Sequence, residues 1–374
     1  MMAPTSRAFQ SFVGVDLHKC TVTLAAVDPA GQLIGRIKTA TKCVDKIDVF
    51  LADLPAPIHL AVEACPFVEW FIDRYRPMIL ERGGGFDIAD TTELARLRGK
   101  RRKTDRNDAT DIAQRLARGD CPLGWIADEH VANLRKLGRQ WHRLSRTLSR
   151  TKASMRSMLL QRNVRGPATL DGASGHRWLL AHGHLLKEVD RQSFGDLLAI
   201  VQTIERIMEP LRLRIIETNR SERFAALIAL LQSVPGIGEI WGCIIAAEVG
   251  DFTRFPNADA IEFWAGITPD VKESAGRTSS GGITKAGSRT LRWALGNAAL
   301  CLCRSDAAQA RVRQRIFARC NHKAKTNVAM ARRLLRILHA MARTGEAYRL
   351  AEPTQHTAKA NKVRQQKRRS TTTA

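Results

Sequence analysis

Phe12-Val13-Gly14-Val15-Asp16-Leu17-His18-Lys19-Cys20-Thr21-Val22-Thr23-Leu24-Ala25-Ala26-Val27, closed by Asp28-Pro29-Ala30-Gly31, decides the N-terminal fold of this 374-residue chain. Its β-branched and apolar residues read as two strands, Phe12 to Leu17 and Thr21 to Val27, and the Asp-Pro-Ala-Gly run reads as a turn. Leu33 to Ile37 continues the pattern as a third strand. Working outward, a helix-like stretch leads to a strand at Ile58 to Val62, a helix around Val68 to Tyr75 and a short strand near Phe86 to Ala89. The basic segment Leu94 to Lys103 follows. The class is mixed α/β.

Asp16 ends the first strand and Glu63 ends Leu60-Ala61-Val62-Glu63, while Asp105 and Asp108 open a helix-like segment in Lys103-Thr104-Asp105-Arg106-Asn107-Asp108. A carboxylate at the end of a buried strand is costly unless its charge is used. Asp105 and Asp108, three apart, share one face of a helix; an N-cap with an acid in the first turn is the purely structural alternative. Joined to Asp16 and Glu63 on separate strands, they suit Mg2+, which takes hard oxygen ligands and is completed by water and phosphate oxygens. A three-stranded meander, then alternating helices and strands, with carboxylates on the first strand, a later strand and a late helix, is the arrangement of a ribonuclease H-like fold. The 60 Lys and Arg against 36 Asp and Glu, a formal charge of +24, point to nucleic acid as the polyanionic partner. No apolar block approaches the roughly 18 residues of a membrane span.

From 128 to 220 the pattern is one of long helices. Leu134, Leu137, Trp141, Leu144, Leu148, Thr151, Met155 and Met158 recur at spacings of three and four, as do Leu197, Val201, Ile204, Met208, Leu211 and Ile215. Both stretches suit a coiled-coil seam, read as an intramolecular helical hairpin that also serves as a dimerisation arm and touches nucleic acid. Gly166-Pro167 and Gly172 to Gly175 read as loops. In Val234-Pro235-Gly236-Ile237-Gly238, ahead of the helix Ile240 to Val249, Gly236 and Gly238 resemble the turn of a helix-hairpin-helix element, whose backbone N–H groups meet phosphate.

Asp270 to Gly282 reads as a polar, glycine-rich loop holding Ser274, Arg277, Ser279 and Ser280, and the helices Arg289 to Cys303 and Val328 to Met341 follow. These serines suit phosphate binding or nucleophilic attack, and the residues alone do not choose among them. Eight cysteines without a Cys-x-x-Cys pair, and no leader segment, imply reduced thiols and a cytoplasmic protein. Cys301, Cys303, Cys320 and His322 are four conceivable zinc ligands at unusually tight spacing.

The quartet Asp16, Glu63, Asp105 and Asp108, followed by Val234-Pro235-Gly236-Ile237-Gly238, Arg254-Phe255, Ala265-Gly266-Ile267-Thr268-Pro269, Gly282-Ile283-Thr284-Lys285-Ala286-Gly287-Ser288 and Leu291-Arg292, resembles the DEDD transposases of the insertion-sequence-110 family, which include pilin-gene-inverting recombinases. The resemblance runs over roughly residues 11 to 340. It implies a RuvC-like domain over 1–125, a coiled-coil arm over 126–225 and a transposase domain over 226–345, while the polar, basic, aromatic-poor composition of 346–374 reads as a disordered tail. It further implies a dimer or tetramer, a structured bridge RNA that pairs with donor and target DNA, and strand exchange through a phosphoserine link. The serine five residues after Pro269 is Ser274, within Glu273-Ser274-Ala275-Gly276 rather than the family's usual Ser-Ser-Gly. The reading is therefore a DNA recombinase using Mg2+ on the four carboxylates and Ser274 as nucleophile. Lys103, Arg106, Gly236, Gly238, Arg277, Ser279, Ser280, Lys285, Ser288, Arg289 and Arg292 stand as nucleic-acid contacts. The alternatives are a junction-resolving nuclease that uses only the carboxylates and a non-catalytic nucleic-acid-binding protein.

Overall fold

The computed structural model describes residues 9–98, 105–218, 222–274 and 277–349; the side chains of 98, 105–107, 222–223, 271–274 and 277–281 lie outside that description. The chain separates into two compact units, one ending at Ile126 and the other beginning at Ala127. In the first, β1 (Ser11–Leu17), β2 (Thr21–Val27) and β3 (Leu33–Ala40) are followed by α1 (Val44–Ala52), β4 (Ile58–Glu63), α2 (Glu69–Glu81), β5 (Gly85–Ala89), α3 (Thr91–Arg98), α4 (Asp105–Arg118) and the two-residue β6 (Leu123–Gly124). One sheet holds all six strands in the order β3-β2-β1-β4-β5-β6. The first three are antiparallel; β4 runs parallel to β1, β5 parallel to β4 and β6 antiparallel to β5. The strands expected from the alternation are all present, with β3 extended to Ala40.

Because strand side chains alternate, β1 feeds two cores. Val13, Val15 and Leu17 join Leu24, Leu60, Val62, Ile47, Phe71, Tyr75 and Ile79 under α1 and α2. The opposite face carries Gly14 and Asp16 on β1 and Ala61 on β4, and Ala61 packs with Ala89, Leu94, Ile112 and Leu116 beneath α3 and α4. The second face has the smaller residues, and α4 lies close upon it.

The second unit is mostly helical: α5 (Glu129–Gln161), α6 (Gly172–His182), α7 (Glu188–Thr218), α8 (Glu222–Gln232), α9 (Glu239–Val249), α10 (Ala258–Ala265), β7 (Pro269–Ser274), β8 (Arg277–Ile283), α11 (Arg289–Ser305), α12 (Ala307–Cys320) and α13 (Lys323–Thr344). Three sequence expectations are corrected. Gly172 to Gly175 is the first turn of α6, not a loop: Asp171 Oδ1 accepts from the Ser174 N–H at 2.7 Å, and added Cβ atoms at Gly172 and Gly175 would press into Gln202 and Leu198 of α7. Small residues there serve helix approach. The loop expected over Asp270 to Gly282 is an antiparallel ribbon with Lys272 opposite Ser279, Glu273 opposite Thr278 and Ser274 opposite Arg277. Turn-forming composition had concealed strands that, among the described residues, pair with each other. The third correction concerns α5, whose inner stripe is not one uniform seam. Met155 and Leu159 pack with Phe194, Leu198 and Val201 of α7, whereas Val131, Leu134, Gly138 and His142 are the buried positions nearer its start, where α5 meets α9 and α11. The α5–α7 pair is an intramolecular hairpin. The start of the expected tail is also anchored, since Tyr348 donates from its backbone N–H to Ser233 Oγ (2.8 Å) and from its hydroxyl to Asp306 Oδ2 (2.6 Å). Residues 350–374 lie outside the described residues.

Buried acids tie this basic unit together. Glu248 on α9, 2% exposed, takes both arms of Arg139 at 2.8 and 3.1 Å. Glu262 on α10 is 0% exposed and accepts from Arg332 at 2.7 Å and from Arg336, both on α13. Replacing Glu262 by Ala leaves two guanidiniums facing a buried, carboxylate-free surface. Loss of a buried pair costs roughly 3–5 kcal/mol; the partial exposure of both arginines lowers the expectation to about 2 kcal/mol, read as a shift in the urea midpoint.

Candidate active site

Asp16 and Glu63 stand side by side at the same end of the sheet. The β1–β4 register pairs Val15 with Val62, so the next residues, Asp16 and Glu63, occupy neighbouring positions on parallel strands about 4.8 Å apart. Asp16, only 3% exposed, follows Gly14 by two residues and shares its face of the sheet, the face that α4 covers. Gly14 makes that closeness possible: a Cβ there would overlap the Ala109 carbonyl oxygen, 2.6 Å from the Ala113 nitrogen and 2.9 Å from Ile112 Cβ. Asp108, beside Ala109 and 6% exposed, is thereby held against the same face. Asp105 begins α4, with its side chain outside the described residues.

The charges of Asp16 and Glu63 are both felt at Cys65. Burial first, and these two carboxylates beyond it, push the Cys65 thiol up. His18, which sequence reasoning passed over, brings Nε2 to 3.2 Å from Asp16 Oδ2 while half its side chain stays exposed. Its signal was the spacing, two residues beyond the carboxylate at the strand exit. Among the described residues no three His, Cys, Asp or Glu groups stand together as a metal cage. The chemistry of the donor set still fits a hard divalent cation: Asp16, Glu63 and Asp108 supply only carboxylate oxygens, the first two at neighbouring strand ends and the third on the helix that covers that sheet face.

The expected nucleic-acid contacts divide by what they already do. Gly236 adopts φ +97°, and a Cβ there would overlap Cys301 Cβ and lie 3.1 Å from Leu302 N, so this glycine lets the α8–α9 turn press on α11. Gly238 caps α9 in open space. Ser288 caps α11, its Oγ accepting from Leu291 N–H at 3.1 Å. Arg292 donates to the carbonyls of Ala265 (3.2 Å) and Gly287 (2.7 Å), and burial followed by the nearby Arg289 charge lowers its pKa. Lys285 and Arg289 are exposed. Lys103 lies outside the described residues, as do the side chains of Arg106, Ser274, Arg277, Ser279 and Ser280; Ser274 ends β7, and the other three hairpin residues lie on β8. Ser288→Ala is expected to cost about 1 kcal/mol through the lost cap, with DNA affinity unchanged, as thermal melting and gel-shift titration would show.

The four conceivable zinc ligands do not converge. Cys303 points its thiol at the Gln309 carbonyl (3.9 Å), Cys320 meets Thr326 Oγ1 (3.4 Å), His322 caps α13 through Lys325 N–H, and Cys301 backs Gly236. No helix among the described residues is long and apolar enough to cross a membrane.

A model of the family described as Transposase IS116/IS110/IS902 matches residues 228–314, the stretch from α8 into α12 that contains the glycine turn, the serine hairpin and α11. A Sinorhizobium fredii protein named as a candidate transposase, y4qE, is 25% identical over 53% of this chain and 48% of its own length. "Insertion element IS110 uncharacterized 43.6 kDa protein" of Streptomyces coelicolor is 29% identical over 34% of this chain and 31% of its own. The alignments thus span less than half the length of these two relatives. "Probable family 20 transposase" of Pseudomonas aeruginosa is 24% identical over 91% of this chain and 98% of its own. The match at residues 228–314 and a relative aligned along nearly the whole chain are what this protein is similar to: the IS116/IS110/IS902 transposase model in its second unit and a probable transposase along its length.

Proposed function

We propose that the protein is a transposase acting as a site-specific DNA recombinase, with Asp16, Glu63, Asp105 and Asp108 as the carboxylates of a Mg2+-dependent centre and Ser274 as the nucleophile. The observation that carries the reading is the in-register placement of Asp16 and Glu63 on β1 and β4, with Asp108 brought to the same sheet face by α4. The strand order, antiparallel β3-β2-β1 followed by parallel β4 and β5, supports a RuvC-like ribonuclease H fold. When bound, Mg2+ would neutralise charge on the scissile phosphate and help acidify the attacking hydroxyl. Asp16 and Glu63 lie on neighbouring strand ends and Asp108 on the helix that covers the same sheet face, which supports a site whose carboxylates are held by the fold before substrate arrives. Ser274 Oγ attacks phosphorus, forming a serine phosphodiester and breaking one P–O bond to deoxyribose; the serine proton ends on the departing sugar oxygen. Attack by a deoxyribose hydroxyl from the other duplex reverses the bookkeeping and joins the exchanged strands. A structured bridge RNA that pairs with donor and target DNA, and a dimer or tetramer in which one subunit's carboxylates meet another's serine, complete the proposal.

The test incubates end-labelled DNA carrying the element's junction with protein and Mg2+, then quenches in denaturant. A covalent protein–DNA adduct that maps to Ser274 and disappears in Ser274→Ala supports the reading. Cleavage that persists undiminished in Ser274→Ala, Ser279→Ala and Ser280→Ala alike would leave only the carboxylate nuclease. Sequencing co-purified RNA addresses the guide, which is expected to be encoded beside the gene with loops complementary to the element's ends.

A further inference from the structure

Away from the carboxylates, the second unit carries a surface in which, of the expected nucleic-acid contacts, Arg289 alone takes part. Lys136, Arg139, Arg143, Arg146 and Arg150 recur on α5 at alternating intervals of three and four, so they share one face of that helix over fourteen residues, about 21 Å. Arg139 is engaged by Glu248. Arg143, Arg146 and Arg150 have no acidic partner among the described residues, and Arg143 and Arg150 are exposed. Beside this row, Trp293 of α11 stacks on the buried His142 with ring centres 4.2 Å apart and planes at 17°, and Trp241 of α9 leans on Trp293 at 4.6 Å. Both indoles remain half-buried rather than enclosed. The charges of Arg146 and Arg289 reach the same point: after burial, they are what lowers the His142 pKa. Arg146 and Arg289 therefore stand near the aromatic pair, and the exposed Arg143 and Arg150 share the helix face of Arg146.

We propose that this surface, Trp241 and Trp293 with Arg143, Arg146, Arg150 and Arg289, binds single-stranded DNA, the unpaired bases stacking on the indoles and the phosphates following the arginine row. The inference rests on the DNA-recombinase reading for its choice of DNA. A duplex keeps its base faces covered and would use only the arginines, whereas a strand with unpaired bases uses both features. A flexible strand also adapts its phosphate spacing to guanidiniums that rise about 4.5–6 Å from one to the next along α5. During strand exchange such a surface would hold a strand opened at the crossover.

The experiment measures anisotropy of a labelled 20-nucleotide DNA strand with the full-length protein at several salt concentrations. Intact strand is expected to bind about tenfold more tightly than a strand of abasic sites, which keeps the phosphates and removes the bases. Combined Arg143→Gln, Arg146→Gln and Arg150→Gln is expected to weaken binding at least tenfold and to reduce the log–log salt slope by about 2. Arg311→Gln, Arg315→Gln and Arg319→Gln on α12 remove the same charge and are expected to stay within threefold of the parent. Equal loss in both triple variants, absence of abasic discrimination, duplex DNA bound by the parent as tightly as the single strand, or tenfold tighter binding of the same sequence as RNA would each overturn the proposal. None of these readouts involves cleavage, so failure here is distinct from failure of the serine assay.

Discussion

Asp16→Asn is expected to lower DNA strand cleavage by at least about a thousandfold while leaving the protein folded. A metal-held carboxylate contributes several kcal/mol to phosphoryl transfer, and each 1.36 kcal/mol is a factor of ten. Asparagine matches aspartate in shape, so the packing around a position 3% exposed is kept and only charge is removed. That charge stands beside Glu63 on the neighbouring strand, and both act on Cys65. Removing one of two neighbouring like charges relieves repulsion, so the variant should melt at or above the parent's temperature without metal. Millimolar Mg2+ should raise the melting temperature of the parent and not of Asp16→Asn, since only a site that binds the folded state shifts the equilibrium. Retained cleavage in the variant, or an equal Mg2+ shift in both proteins, would remove Asp16 from the centre.

The placement of Asp16 and Glu63 at strand ends was legible because strand periodicity is local. Val13, Val15 and Leu17 alternate with Gly14 and Asp16, and an acid at the end of such a run is visible without knowing what it faces. Glu63 was legible for the same reason. The role of Gly14 was not, because its partner is the backbone of α4, almost a hundred residues away. The β7–β8 ribbon was hidden by its own composition: Gly and Ser read as loop, and the pairing of Lys272 with Ser279 depends on register rather than propensity. On α5 the three-four spacing was real, yet a 33-residue helix changes partners along its length, and its stripe drifts from α9 and α11 to α7. Ser288 and Arg292, read as phosphate contacts, also hold a helix cap and two carbonyls, roles their residue types did not disclose. Residue type predicts that a group is polar; only the fold says which polar partner reaches it first.

Gly14→Ala tests how the fold builds the centre, and one added carbon is expected to destabilise the first unit by about 3 kcal/mol or more. The new Cβ would overlap a carbonyl oxygen of α4, which cannot swing aside as a side-chain tip would. The helix must then lift or slide, and β1 cannot retreat, because its other face is committed through Val13, Val15 and Leu17 to the core beneath α1 and α2. Lifting α4 carries Asp108 away from Asp16 and Glu63, so the fraction that still folds should cleave poorly. Gly296→Ala, the same chemical change in the middle of α11 where nothing lies within 4 Å, should instead stabilise by about 0.5–1 kcal/mol through helix propensity. The two substitutions thus move urea midpoints in opposite directions if α4 rests directly on β1. A Gly14→Ala protein with the parent's midpoint and full activity would mean that α4 stands off the sheet and that Asp108 is not positioned by it.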